Sequence, residues 1–318
     1  MNIGLLGFGV VGGGVWELAQ ENRALNVKKV LVRREAPSLG KAAVQDVEAI
    51  LRDTDIDTVV EVLGGLHPAY EWICRALAAG KDVVTANKAV ISAYYRELTA
   101  LARENGAALR CTAAVGGGIP WLVNLQRCRR VDTVTEVGGI MNGTTNFIMD
   151  AMARQGADFP AVLQRAQELG YAEADPSADI DGDDIRRKLT ISANIAFDAL
   201  LREEDIPAFG IRTVTGADVA DFRAHGFTCK LLACAQRTET GVAAYVEPAL
   251  VAEGEPEAAV PGNYNLISCT GELLGRQSYF GQGAGRYPTA ANVVQDCLDL
   301  LTGEDGFYTE TARPMAVE

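Results

Sequence analysis

The sequence predicts an α/β fold. A doubly wound parallel sheet comes first, and an α+β region with an open, largely antiparallel sheet follows. Three observations predict this. Through the first 130 residues, short unbroken apolar runs alternate with helical patterns, as strands buried on both faces of a parallel sheet do. After residue 131, several β-rich runs succeed one another without helices between them, which suits an antiparallel sheet with helices on one side. The length of 318 residues accommodates two domains at about 150 residues each. The first is placed at 1–130, completed by a C-terminal helical segment within 288–318, and the second at 131–287.

The elements follow in order. A strand at 2–6 runs into glycines and then a helix at 10–22. Strands at 27–32 and 57–63 come next, with a helix at 68–79 that Gly80 stops. A strand at 82–85, a helix at 89–105 and a strand at 107–111 complete the βαβαβ order, which sets ligands at the carboxyl ends of the strands. The second region opens with an alternating strand at 131–140, followed by helices at 145–154, 161–169 and 185–200. Strands are expected at 230–238, 242–252, 265–270 and 272–280, and a closing helix at 290–301. The acidic tract 252–259 reads as a solvated loop.

Composition excludes several classes. Apolar residues make up 48% of the chain and charged residues 22%, near the averages of folded soluble proteins, so its bulk is not disordered. No stretch approaches the roughly 18 uncharged apolar residues of a membrane span. The glycine-rich apolar start lacks a basic n-region and does not read as a signal peptide; a cytoplasmic protein is expected. The net charge of −13, without a long basic run, repels nucleic acid and anionic membranes. The seven cysteines form no C-x-x-C pair and read as reduced core thiols. His67 and His225 are the only histidines; neither belongs to an H-E-x-x-H pattern, which excludes a zinc hydrolase.

Gly7, Phe8, Gly9, Val10, Val11 and Gly12 spell G-x-G-x-x-G between a strand and a helix. Glycines there let the backbone approach a pyrophosphate at the helix N-terminus; the alternative is a packing turn. The second strand ends at Arg33 and Arg34, followed by Glu35. Arginine at this position suits a 2′-phosphate, so NADP is favoured, while Glu35 leaves NAD usable through a ribose hydroxyl. The alternative is a pair of solvated arginines. Gly64 and Gly65 follow the third strand, and Thr85 to Lys88 the fourth, both where the fold holds its ligand. Away from a site, Lys88 is an ordinary surface lysine.

The densest segment runs from Gly170 through Glu173, Asp175, Asp179, Asp181, Asp183 and Asp184 to Lys188. Aligning Gly182 with the sixth position of a calcium loop puts Lys188 twelfth, where a bidentate Glu is required, so the calcium reading fails. A solvated acidic loop complementing a helix N-terminus is the plainer alternative. Against it, Asp184 and Lys188 are spaced i,i+4 and share a helix face, where carboxylate and ammonium together can grip or protonate a small polar substrate. A second glycine-rich turn at 281–289 either caps a helix or closes over a cofactor.

Six separated blocks carry a resemblance over nearly the whole chain: 7–12, 80–88, 113–120, 141–148 (Met-Asn-Gly-Thr-Thr-Asn-Phe-Ile), 173–189 and 283–289. Together the sequence resembles a homoserine dehydrogenase. The resemblance implies a Rossmann domain, a catalytic and dimerisation domain, and an alcohol dehydrogenase-type oxidoreductase. Its reaction would interconvert L-homoserine and L-aspartate 4-semialdehyde with NAD(P), a step of threonine and methionine biosynthesis. Some members carry a C-terminal regulatory domain; this sequence ends soon after the closing helix, so feedback control through one is not expected. The resemblance makes Lys188 the general acid/base, Lys88 a second site lysine, and Glu173 and Asp184 the substrate-holding carboxylates. Gly170, Gly283, Phe8, Val10 and Val11 match cofactor-contacting positions. It also implies a monovalent cation held by a Glu side chain and the carbonyls of Val115, Gly117 and Ile119. Thr112 stands at the Glu position without a charge, which weighs against the cation. A homodimer or dimer of dimers is implied, and the strand at 131–140 is expected to pair across a two-fold axis.

In the reaction, hydride transfer to the aldehyde carbon leaves negative charge on oxygen, which a nearby cation stabilises before a proton follows. Lys188 is the expected donor, Lys88 its electrostatic partner, both tips facing one pocket. Asp184 would orient substrate and lysine, and Glu173 would pair with the substrate's amino group. Two other readings stay open: a non-catalytic NADP-binding sensor, which has no need of a proton donor, and a dehydrogenase of another small amino acid.

Overall fold

The computed structural model describes residues 1–304, 306–307 and 314–317. Its first elements are β1 (Asn2–Leu6), α1 (Val10–Gln20), β2 (Asn26–Leu31), β3 (Ala43–Val44), α2 (Glu48–Leu51), β4 (Thr58–Glu61), α3 (Ala69–Ala78), β5 (Asp82–Thr85), α4 (Lys88–Glu104), β6 (Leu109–Arg110) and α5 (Trp121–Arg129). Then come β7 (Val134–Ile140), α6 (Gly143–Gln155), α7 (Phe159–Glu168), α8 (Ser177–Ile180), α9 (Asp183–Phe197), α10 (Gly216–Ala224), β8 (Phe227–Arg237), β9 (Gly241–Ala252), β10 (Tyr264–Gly271), β11 (Gly275–Gln282), α11 (Arg286–Leu301) and β12 (Ala316–Val317). Two compact units result. One holds Met1–Val123 and the described part of Ala284–Ala312, the other Asn124–Gly283 and the described part of Arg313–Glu318. Among the described residues no helix is long and apolar enough to cross a membrane.

In the first unit the strands run in the order β3-β2-β1-β4-β5-β6, and every pairing is parallel. The order reverses between β1 and β4, which opens a crevice beyond their carboxyl ends. Ile3, Leu5, Val59, Val60, Val83 and Val84 are all buried, and each full burial stabilises by about 1.5–3 kcal/mol. Helix α11 joins this core through Ala290, Val293 and Cys297. It approaches α1 so closely that a Cβ on Gly14 would stand 2.9 Å from the Ala290 Cβ. The closing helix thus belongs with the N-terminal sheet; it ends at Leu301, as the expectation of 290–301 has it, and starts four residues earlier, so the segment 288–318 is helical only as far as Leu301. Ala316–Val317 instead pairs in parallel with β9. Positions 305, 308–313 and 318 of that expected segment lie outside the described residues.

The second unit is a six-stranded sheet in the order β11-β10-β7-β8-β9-β12, antiparallel except for β12 on β9. Two expectations change here. β7 lies between β10 and β8, so both its edges are taken and it cannot pair across a two-fold axis; the outer strands are β11 and the two-residue β12. The acidic tract 252–259 is not wholly solvated, because Glu257 is buried and paired with Arg276. The hairpin also shifts: residues 272–274 make the turn, with the Asp132 carboxylate accepting from the backbone amides of Leu273 and Leu274, and the last strand begins at Gly275.

Lys230, on β8, is fully buried. Its ammonium donates to Asn146 Oδ1 at 2.8 Å and to the Val260 carbonyl at 2.9 Å. Burial is the main influence and pulls its pKa down to about 8, against the opposing charge of Asp150. An unfolded lysine holds its proton to about pH 10.4. Between about pH 8 and 10.4 the unfolded chain therefore binds a proton that the folded chain has released, and stability rises with pH across that window. Below it the folded state bears the whole cost, on the order of 3 kcal/mol. Lys230→Met is expected to remove this alkaline rise from a plot of melting temperature against pH. An undiminished rise in the variant would assign it to other groups.

Candidate active site

The nucleotide side is built at the carboxyl ends of β1, β2 and β4. Gly7 leaves β1 with φ +110, and a Cβ on Gly12 would lie 2.2 Å from the Gly7 carbonyl oxygen. Two fingerprint glycines are thus required by a left-handed turn and a close approach. Helix α1 starts after Gly9 with no acidic residue in its first turn, so its partial positive charge has no side-chain carboxylate beside it there. A cavity of about 720 Å³ opens at this turn, lined by Gly7, Phe8 and Gly9, by Arg33, Arg34 and Glu35 from the end of β2, and by Gly64, His67 and Trp72. Its shape and donors fit a dinucleotide, with the two arginines placed for an anionic substituent. Val10 is exposed at the mouth of the helix and Val11 is half-buried.

A hub that the sequence reading missed holds the neighbouring loops. Glu61, the last residue of β4, is fully buried. It accepts from Thr85 Oγ1 at 2.6 Å, from the Leu63 amide at 2.7 Å and from Asn87 Nδ2 at 3.4 Å. Asn87 also donates to the Gly65 carbonyl at 2.8 Å and caps α4 by accepting from the Val90 amide. Burial raises the Glu61 pKa, while these donors pull it down. Thr85 is therefore turned inward, fixing the loop that leads to Lys88, the half-buried first residue of α4. A second carboxylate, after Asp57 at its start, in the middle of the apolar run 57–63 was the available signal, since a buried charge demands partners.

The other cluster lies in the second unit. Helix α9 starts at Asp183 and presents Asp184 and Lys188 on successive turns, both buried. Lys188 Nζ lies 2.8 Å from Asp184 Oδ2 and donates to the Met141 carbonyl at 2.7 Å. Asn142 caps α6 by accepting from the Thr145 amide, and its own amide donates to Asp179 Oδ1 and Asp184 Oδ2, each at 2.8 Å. Burial, and then the charge of Asp184, push the Asp179 carboxyl up. The cluster thus holds two carboxylates against one ammonium. Asn142 and Asp179 were not singled out from sequence, because only the fold brings 141–142 onto α9. Glu173 is exposed, its backbone carbonyl accepting from Gln167, and the structure does not gather it into this cluster. Gly170 turns the chain after α7 with φ +74. Gly283 lies against Asn265, which is fully buried with neither side-chain polar atom bonded.

The segment implied to hold a monovalent cation lies in the first unit and is already occupied by protein donors. Asn292 Nδ2 donates to the Gly117 carbonyl at 2.6 Å and to the Ile119 carbonyl at 3.0 Å. Thr112 gives its amide and hydroxyl to Asp296 at 2.8 and 2.7 Å. With these bonds made, Thr112 and the Gly117 and Ile119 carbonyls do not fit a cation.

Comparison with known proteins agrees with the geometry. Residues 120–298 match the family model of homoserine dehydrogenase, and residues 7–112 that of the homoserine dehydrogenase NAD binding domain. A Synechocystis homoserine dehydrogenase is 42% identical over 95% of this chain and 73% of its own length. The crystal structure of a homoserine dehydrogenase from Thiobacillus denitrificans matches with a TM-score of 0.96 at 36% identity, over 100% of this chain and 79% of that one. A hyperthermophilic archaeal homoserine dehydrogenase in complex with NADPH matches with a TM-score of 0.81 at 25% identity, over 95% and 98% of the two chains. This chain, an oxidoreductase with a nicotinamide-nucleotide-binding domain, belongs to the homoserine dehydrogenase family.

Proposed function

We propose that the chain interconverts L-homoserine and L-aspartate 4-semialdehyde with NADP as its preferred cofactor, NAD serving less well, on the route to threonine and methionine. The observation that carries the reading is the buried Asp184–Lys188 pair with Lys188 held on the Met141 carbonyl. Two bonded partners fix the ammonium in place, as a positioned proton donor requires. The bound reduced nicotinamide supplies the hydride. Lys188 stabilises the charge that grows on the aldehyde oxygen and delivers the proton to it; in the oxidation it takes that proton back. Lys88 adds a second positive charge at the reacting oxygen. Asp184 orients Lys188, and Asp179 receives the substrate's α-ammonium, a role that Glu173, exposed and outside the cluster, does not share. The excess of carboxylates over ammonium among Asp179, Asp184 and Lys188 supports a cationic group on the ligand.

Gly7 to Gly12, Gly64, Gly65, Thr85, Gly170 and Gly283 serve the cofactor, directly or by holding its loops, while Arg33 and Arg34 take the 2′-phosphate. The NADPH complex of the archaeal relative supports this choice. The unit 1–123 with the closing helix is assigned to the nucleotide and 124–283 to the substrate and dimerisation, in place of the expected 1–130 and 131–287. A cytoplasmic homodimer or dimer of dimers is supported by the exposed Phe280 on β11 and the exposed Leu273 and Leu274 in the turn that precedes it.

Absorbance at 340 nm with L-homoserine and NADP tests the reading. Reduction of NADP that depends on homoserine is expected, and NADP binding without turnover would leave a sensor. Turnover with another small amino acid in place of homoserine would move the chain to a related dehydrogenase.

A further inference from the structure

We infer that Asn292 does in this chain what a bound monovalent cation would do, so that the loop 112–119 is held without sodium or potassium. The loop folds back between β6 and α5, and Thr112, Ala113, Ala114, Val115 and Ile119 are buried. Gly116 and Gly117 take φ +83 and +55, a conformation that favours glycine. The buried carbonyls of Gly117 and Ile119 require partners, since an unbonded buried carbonyl costs about 1–3 kcal/mol. A cation is one way to satisfy converging carbonyls, and a side-chain amide is another. Asn292 is itself buried, and a primary amide carries two N–H donors, which equals the two carbonyls it meets at 2.6 and 3.0 Å. Ile119 also accepts from the Trp121 amide at 2.7 Å, so its oxygen already has two donors.

The orientation of the amide follows from the same geometry. Turned over, Asn292 would press Oδ1 against two carbonyl oxygens, and only a cation among them could relieve the repulsion. Nothing at Thr112 would neutralise that cation. Its hydroxyl and backbone amide are spent on Asp296, whose Oδ1 also accepts from Arg110 Nε at 3.0 Å. Asn292 and Asp296 are one turn apart on α11, so a single helix face staples both ends of the loop, by carboxylate at Thr112 and by amide at 117–119.

The test reads melting temperature, not turnover, so its outcome is separate from that of the catalytic assignment. The NADP-loaded protein is melted in sodium, potassium and choline chloride at matched ionic strength. The three curves are expected to agree within about 1 °C, given that about 1 kcal/mol moves a chain of this size by a few degrees. A saturating rise of several degrees with sodium or potassium would overturn the inference, because only a bound ion stabilises in that way. Asn292→Ala takes the amide from the Gly117 carbonyl and leaves Ile119 with the Trp121 amide alone, and is expected to lower the choline melting temperature by about 2–5 °C; an unchanged value would show that the amide bridges nothing. Asn292→Asp sets a carboxylate between the carbonyls and is expected to create a requirement the natural chain lacks. Its melting temperature should be lowest in choline and recover with sodium. Equal loss in all three salts would show that the place cannot take an ion and would overturn the equivalence of amide and cation.

Discussion

Lys188→Ala is expected to lower kcat for homoserine oxidation by about 10²–10⁴-fold, the usual contribution of a positioned general acid or base. NADP affinity should stay within about threefold, because every residue lining the nucleotide cavity belongs to the first unit and Lys188 to the second. Loss of a buried ammonium also takes from Asp184 the cation 2.8 Å away, and breaking a buried ion pair costs about 3–5 kcal/mol, so the variant needs a folding control. Lys188→Ala with Asp184→Asn removes both charges, and its melting temperature should recover while its turnover does not. Lys188→Arg separates charge from proton. Arginine keeps the cation but does not release its proton, so substrate binding should survive where turnover does not. Stopped-time absorbance at 340 nm, NADP titration and melting curves together read all three variants. Turnover of the single variant within tenfold of the natural chain, with the fold intact, would remove Lys188 from the chemistry.

Much of the first unit is legible because its strands are covered on both faces. The strands at 2–6 and 82–85 fall on β1 and β5, and the alternation of apolar run and helix needs no tertiary knowledge. Short or capped elements are less visible. Helix α10 follows a capping box in which Thr215 and Asp218 exchange hydrogen bonds; the Thr-x-x-Asp pattern stands in the sequence, but no apolar periodicity follows it to draw attention. Helix α5 begins directly after Pro120 and carries Arg127 and Arg129 in its last turn; no element is expected there from the sequence. The strand expected at 107–111 shrinks to Leu109–Arg110 because it has a partner only on the β5 side.

The site is legible where its chemistry is local. Asp184 and Lys188 lie on one helix, so spacing alone puts them together. Asn142, Asp179 and the Met141 carbonyl reach them only through tertiary contacts, and Glu173, adjacent in sequence to the same acidic segment, ends up in solvent. The same limit explains Thr112: its lack of charge is plain in the sequence, but Asn292, which supplies the bonds at the other end of the loop, lies 180 residues away by number. Sequence distance hides the compensation, and the helix α11 restores it.

Arg33→Ala combined with Arg34→Ala is expected to reverse the cofactor preference. Both side chains line the cavity and both are exposed at its rim, where a charge-assisted hydrogen bond is worth about 1.5–3 kcal/mol. Each bond to a 2′-phosphate then carries about 10–100-fold in affinity, and the pair about 10²–10³-fold once overlap is allowed for. NAD lacks that phosphate, so its affinity should change by no more than about threefold. The loss should also be steeper at low ionic strength, because exposed charges are screened within roughly 10 Å at 0.1 M salt. Glu35 gives the opposite sign: its carboxylate lines the same cavity and repels a phosphate but can accept from a ribose hydroxyl. Glu35→Gln should therefore favour NADP further. Titration of the two nucleotides against the natural chain and both variants at two salt concentrations decides the matter. Equal losses for NADP and NAD in the double variant would mean that the arginines hold the loop or the pyrophosphate, and the preference for NADP would have to come from elsewhere in the cavity.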